Sequence, residues 1–300
     1  MKRIAALIVL TVCILITYAD ADTPFLSADE LVSASCILVD ADTGEVLFEK
    51  EADTRRYPAS TTKIMTLLVS IEKCDGRKII TVPKCAGDIS QDSSRVPVYY
   101  GEQMPLRDLW YGLIFNSGND AANAIAYLTS GSIDAFVKDM NKKAAELGMT
   151  NTHYANAHGL HNADHYTTAR DMALLTRECL QSDLFRKITF SYTYTMAPTA
   201  LRDEMVIYHD YAILDFSSSY YYKYARGIKT GYTSQAGQCF VGAADKDGHE
   251  LIAVILRCGG AKTDKWKDAK KLFEYGFAVL ENRLTQAADE ASTLTLPQFD

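Results

Sequence analysis

Ser60 and Lys63 stand one helical turn apart in "YPASTTKIMT" (57–66), where a helix begins. Side chains three positions apart on a helix share a face, so the amine can reach the hydroxyl. A serine hydroxyl is a weak nucleophile until a neighbour takes its proton. A lysine can do so only where burial or a nearby cation lowers its pKa and leaves part of it neutral. The first backbone N–H groups of the helix would then be at hand for an oxyanion. Spacing alone carries little weight, because a serine three before a lysine arises about once by chance in such a chain. Ser70 and Lys73 repeat it and read as a surface coincidence.

Two further motifs carry polar groups suited to the same chemistry. Ser117-Gly118-Asn119, in "NSGND", falls in a break between two helical stretches, and Ser117 is the only serine with an asparagine two residues on. Taken alone it is a turn with polar caps. Lys229-Thr230-Gly231 lies on a strand entering a tight turn and would supply a cation, a hydroxyl and a position without a side chain.

Elements must bring these three stretches together. "ASCILVDADTGEVLFEK" has two apolar runs around an Asp-Thr-Gly turn and predicts a β-hairpin, as does "GQCFVGAADKDGHELIAVILRC" (237–258). Apolar residues at 64, 67, 68 and 71 predict a helix over 61–74, with Ser60 in its first turn. Helices are expected across 106–147, broken at 116–118. Another is expected over 167–180, where Thr168 and Asp171 resemble a capping box, and an amphipathic one over 267–281. Strands near both ends with helices between them predict an α+β fold. One antiparallel sheet of N- and C-terminal strands would be flanked by helices, with a mostly helical insertion.

The first segment is separate. Met1-Lys2-Arg3 is basic, Ile4 to Ala19 is almost wholly apolar, and Ala19-Asp20-Ala21 offers small residues at a cleavage point. This is a secretory signal peptide pattern over 1–21, and it predicts export to an extracytoplasmic compartment, the cell envelope or periplasm. The catalytic domain is expected over 22–284 and a loosely ordered polar tail over 285–300. Of 300 residues 48% are apolar, and the net charge of −7 becomes −8 once the leader is removed. An acidic chain without a basic run excludes a nucleic-acid partner. Six cysteines remain, widely spaced, and read as small buried apolar residues, with one bridge left open.

The order Ser-x-x-Lys, Ser-x-Asn, Lys-Thr-Gly is shared by penicillin-binding proteins and class A β-lactamases. "PASTTKIMT", "NSGNDAANAIA", "NAHGLHNADHYTTARDMA" and "GIKTGYTSQAGQC" resemble the corresponding blocks of the serine-type D-alanyl-D-alanine carboxypeptidases, the low-molecular-mass penicillin-binding proteins of peptidase family S11. The opening Asp-x-x-Thr-Gly turn is similar too, and the resemblance covers roughly residues 30–280. It implies a β-lactamase/transpeptidase-like fold. It also implies removal of the terminal D-alanine from peptidoglycan stem peptides ending in D-Ala-D-Ala, with β-lactams as covalent inhibitors.

By that resemblance Ser60 is the nucleophile, Lys63 the general base, and Ser117 the proton donor to the departing amine. Asn119 would hold the substrate amide, and Lys229 with Thr230 the terminal carboxylate. Gly231 would admit the substrate backbone, and the N–H groups of Ser60 and Tyr232 would form the oxyanion hole. No metal or organic cofactor is implied. Many members carry a second, all-β domain and a C-terminal amphipathic helix that holds them to the membrane. Residues 285–300 do not show such an extension, and whether one belongs to the protein stays open, as does membrane association.

Three other readings bear on the same residues. A β-lactamase-like hydrolase would need a Glu-x-x-x-Asn pattern beyond Asn119, and there is none. A non-catalytic penicillin- or wall-binding protein would not need every one of these groups. His158, His161 and His165 with Asp164 have zinc-like spacing but sit in a turn-rich stretch, and "HELIA" (249–253) lacks the second histidine of a zinc-protease helix. His153 and His209 read as structural. The tyrosines of "SSSYYYKYA" (217–225) read as packing residues before cleft residues, and Arg257 has no assigned role.

Overall fold

A computed structural model describes residues 24–90 and 92–293; the signal peptide expected over 1–21 lies outside the described residues. In chain order the elements are β1 (Ser33–Asp40), β2 (Val46–Lys50), α1 (Lys63–Lys73), β3 (Ile79–Thr81), β4 (Gln103–Pro105), α2 (Leu106–Phe115), α3 (Asn119–Ser130) and α4 (Ile133–Glu146). They continue with α5 (Ala169–Cys179), α6 (Asp183–Phe190), β5 (Thr193–Met196), β6 (Met205–Tyr208), β7 (Ala225–Thr233), β8 (Gly237–Lys246), β9 (His249–Cys258) and α7 (Asp264–Thr293). The first and last hairpins join into one antiparallel sheet ordered β2-β1-β9-β8-β7, as expected for an α+β fold.

Both faces of this sheet are covered, so its central strands are apolar on both sides. Along β1, Ile37 and Val39 enter the core formed with the helices from α1 to α6. Cys36 and Leu38, pointing the other way, pack with Phe240, Trp266, Phe273 and Phe277 beneath α7. Burial of such surface at roughly 25 cal/mol per Å² is the main force holding the layers together. The turn between β1 and β2 is held by Asp40, whose Oδ1 accepts from Thr43 N at 2.7 Å and Thr43 Oγ1 at 2.8 Å. Gly44 follows at φ +78°, a conformation glycine adopts without steric cost.

Several expectations are corrected. The helix placed over 267–281 runs from Asp264 to Thr293, so 285–293 is not a loose tail. After Gly276 this stretch has neither glycine nor proline and is rich in good helix formers. Arg283 also ties it to the β1–β2 turn through Glu45 at 2.7 Å. Thr168 does cap α5, accepting from Asp171 N at 3.1 Å, but the box is not reciprocal. The Asp171 carboxylate instead accepts from Asn151 N and Thr152 Oγ1. Ser70 is not a surface residue: it is buried and accepts from Trp110 Nε1 at 2.8 Å, while Lys73 pairs with Asp139. Tyr220, Tyr222 and Tyr224 pack against the core beneath α7. All six described cysteines are free thiols, four of them buried.

Candidate active site

The opening of α1 is not a regular helix start. Ala59–Thr62 form a 3-10 turn, with Ala59 at φ +48°, and α1 begins at Lys63. In a 3-10 turn residues i and i+3 eclipse, so the serine–lysine spacing holds although the geometry is tighter than an α-helical turn. Lys63 Nζ lies 3.0 Å from Ser60 Oγ. Its other partners are two carbonyl oxygens, Asn119 Oδ1 at 2.7 Å and His158 O at 2.7 Å.

Lys63 is fully buried. Loss of hydration, followed by repulsion from Lys229, drives its pKa well below 10.5 against a smaller opposing pull from Asp120. A neutral amine has two N–H groups and one lone pair. Two carbonyls accept the N–H groups, which leaves the lone pair for the Ser60 O–H. The surroundings thus match the form of lysine that can act as a base.

The second motif lies at the mouth of α3. Ser117, in the break after α2, holds φ +55°, and Asn119 begins α3. Asp120 follows, accepting from Val96 N at 2.9 Å and Ala121 N at 2.8 Å; burial pushes it up to about 6. The third motif lies on β7, an edge strand. The β7–β8 register shifts between Gly227 and Lys229, a bulge that re-aims the lysine. Lys229 is buried and lowered to about 7 by desolvation, against an opposing pull from Asp210. Gly231 faces the Ser60 backbone: a Cβ there would come within 2.9 Å of Ser60 N and 3.0 Å of Pro58 O. Only glycine lets β7 lie so close.

Ser60, Ser117, Asn119, Lys229, Thr230, Gly231 and Tyr232 all line one cleft of about 980 Å³, with Lys63 buried next to it. Three distant stretches therefore do share one site.

Sequence reasoning missed the groups that shape the turn. Gly159, at φ +87°, packs so closely that a Cβ would fall 1.9 Å from Ala59 O. Asn156 Oδ1 accepts from Gly159 N at 2.7 Å and folds that loop, while Thr66 Oγ1 donates to Ala157 O at 2.6 Å. The three histidines considered as metal ligands have separate tasks. His158 contributes its carbonyl to Lys63, His161 packs edge-on against Tyr57, and His165 Nε2 meets Thr62 Oγ1 at 2.8 Å. Among the described residues no three metal-ligating side chains gather.

With this geometry in view, comparison with known proteins decides the family. The D-alanyl-D-alanine carboxypeptidase family, S11 among the peptidases, matches residues 22–260. The chain belongs to this family. It is 35% identical to the D-alanyl-D-alanine carboxypeptidase DacF of Bacillus subtilis, the match covering 82% of this chain and 62% of that protein. It is 33% identical to DacA of Escherichia coli K12, over 94% of this chain and 70% of that one. Among solved structures, the Streptomyces K15 DD-transpeptidase superposes with a TM-score of 0.77 at 29% identity, covering 83% of this chain and 98% of that one. The D-alanyl-D-alanine carboxypeptidase of Mycobacterium tuberculosis gives 0.75 at 31%, covering 82% and 91%. The fold is that of the DD-peptidases and penicillin-binding proteins, and the activity of the family is that of a serine D-Ala-D-Ala carboxypeptidase acting in cell-wall metabolism.

Proposed function

We propose that Ser60 is the nucleophile with which this carboxypeptidase cleaves the bond between the last two D-alanines of a stem peptide, and that Lys63 is its base. One observation carries this reading: a fully buried amine, 3.0 Å from a half-buried hydroxyl, whose two N–H groups are taken by carbonyls. In the first step the Ser60 proton passes to Lys63 as Oγ bonds to the carbonyl carbon of the penultimate residue. The oxyanion then accepts from the N–H groups of Ser60 and Tyr232. The C–N bond breaks with a proton delivered through Ser117, and the terminal D-alanine leaves. Lys63 next deprotonates a water that attacks the ester, and Ser60 is regenerated.

β7 is an edge strand, so a substrate in extended form can lie along it as an added strand. Lys229 and Thr230 hold its terminal carboxylate. That anion restores full charge to Lys229, which burial otherwise holds near 7. Asn119 Oδ1 is used by Lys63, which leaves its Nδ2 for a substrate carbonyl. A β-lactam presents a carbonyl and a carboxylate to the same groups and stops at the ester on Ser60. The basic and apolar first segment supports export before the enzyme meets its substrate. No described helix is long and apolar enough to cross a membrane.

Intact-mass analysis after benzylpenicillin, together with D-alanine release from a pentapeptide, tests the reading. Wild type gains the adduct and releases D-alanine, and Ser60→Ala does neither. An adduct that persists in Ser60→Ala would remove Ser60 from the mechanism. An adduct on Ser60 without D-alanine release would leave a penicillin-binding protein of another kind.

A further inference from the structure

We propose that a second groove, separate from the catalytic cleft, binds a phosphate group. Its volume is about 450 Å³, and its walls include Arg55, Arg56, Tyr57, Tyr166, Gln235 and Arg257. None of these residues lines the cleft around Ser60. Three arginines thus border one groove in a chain whose net charge is −7, and among the described residues no carboxylate lines it. The ion pairs that arginines form among the described residues belong to Arg77, Arg170, Arg186, Arg202 and Arg283, not to these three.

The fold aims each of them. Arg56 is fixed by its backbone, which exchanges hydrogen bonds with Thr167 at 2.7 and 2.9 Å, and its Nε donates to Ser35 Oγ at 2.9 Å. Arg55 lies over the Tyr166 ring, 4.5 Å from its centroid, with one nitrogen on Asn151 Oδ1. Arg257 sits at φ +52°, where the β8–β9 register slips between Gln238 and Phe240. Three steps along β9 face two along β8, so β9 carries an extra residue there. A bulge of this kind turns a side chain out of its regular direction.

Like charges gathered without a counter-charge repel, and an anion in the groove relieves that repulsion. The arrangement selects its shape. A carboxylate offers two oxygens in one plane, which one guanidinium fork satisfies. Three arginines from two segments, residues 55–56 and the end of β9, need acceptors in several directions, which the tetrahedral oxygens of phosphate provide.

Isothermal titration of the full chain with inorganic phosphate, and separately with glycerol phosphate, tests this at an ionic strength held constant with sodium chloride. One saturable site is expected, weakened about tenfold in Arg257→Gln and in Arg55→Gln, the loss for removing one charge-assisted contact. Acylation by benzylpenicillin should stay at the wild-type rate in both variants, which shows that the fold is intact. If Arg257→Gln misfolds, Arg55→Gln decides alone. Equal binding of both probes assigns the groove to phosphate esters; binding of inorganic phosphate alone assigns it to the free ion. Absence of saturable binding of either probe by wild type, or unchanged affinity in a folded variant, overturns the proposal.

Discussion

The carbonyl oxygens of Asn119 and His158 approach the same atom, Lys63 Nζ, each at 2.7 Å, and leave the Ser60 side of that nitrogen free to accept a proton. The rate of acylation by a fluorescent penicillin should therefore rise with pH along a limb lying below the ordinary lysine value of 10.5. Repulsion from Lys229 is one cause of that displacement, so Lys229→Gln should move the limb to higher pH. Lys63→Arg keeps a cation but removes the proposed base, and should slow acylation roughly a hundredfold or more. A limb that stays in place, or moves down, in Lys229→Gln would refute this account of Lys63.

Gly159 offers a second, steric test. Gly148 has a similar φ of +74° but nothing within 4 Å of an added Cβ, whereas at Gly159 that atom would meet Ala59 O at 1.9 Å. Gly148→Ala should cost about 1 kcal/mol, the usual strain of a left-handed alanine, and leave acylation unchanged. Gly159→Ala must displace the Ala59–Ser60 backbone. It should lose about 3 kcal/mol or more in urea unfolding and slow acylation by at least about tenfold. Equal effects from the two substitutions would mean that this contact does not set the position of Ser60.

What the sequence revealed about the site were its side chains. Ser60 with Lys63, Ser117 with Asn119, and Lys229 with Thr230 carry distinctive groups at short spacing, and all of them meet at the site. The backbone contributions left no such trace. Any residue could supply the carbonyl that His158 gives to Lys63, and Gly159 is distinguished only by an approach that exists in the folded chain. The fold shows the same division. The two hairpins of the main sheet have long apolar runs and were legible, but β3 to β6 span three or four residues each, too few for a period to emerge. The end of α7 was misplaced because polar composition suggests a tail, while helix propensity and the Arg283–Glu45 pair keep it helical.

Thr62 relays one of these unseen constraints. His165 Nδ1 accepts from Ala155 N at 3.1 Å, so its proton is on Nε2 and points to Thr62 Oγ1, which donates in turn to Ala59 O at 2.8 Å. Burial lowers His165 to about 3, so the direction of this chain does not change over working pH. Thr62→Val should cost about 1–3 kcal/mol, because it leaves the buried Nε2–H and a carbonyl unpaired. It should also slow acylation without moving the pH limb, and Thr62→Ser should restore most of the loss. A shift of the limb in Thr62→Val would show that the relay acts on Lys63 rather than on the turn.

His209 gives the fold a dependence on pH that is separate from catalysis. It is buried between the rings of Phe115 and Tyr211, with centroids 4.1 and 4.5 Å away. Burial, then the cation at Lys229, lowers it from 6.5 to about 3 against a smaller opposing pull from the Thr189 backbone. Between those values the unfolded chain binds a proton that the folded one refuses, so stability is present above 6.5 and lost as pH falls toward 3. Each such proton contributes a slope of about 1.4 kcal/mol per pH unit. His209→Phe keeps the ring packing and removes the titration. Its stability, measured by urea unfolding between pH 6 and 4, should therefore fall less steeply than that of wild type by about that slope. Other titrating groups, including His158 and His165, are common to both proteins and cancel in the difference. Parallel curves for the two proteins would mean that His209 takes up its proton in the folded state.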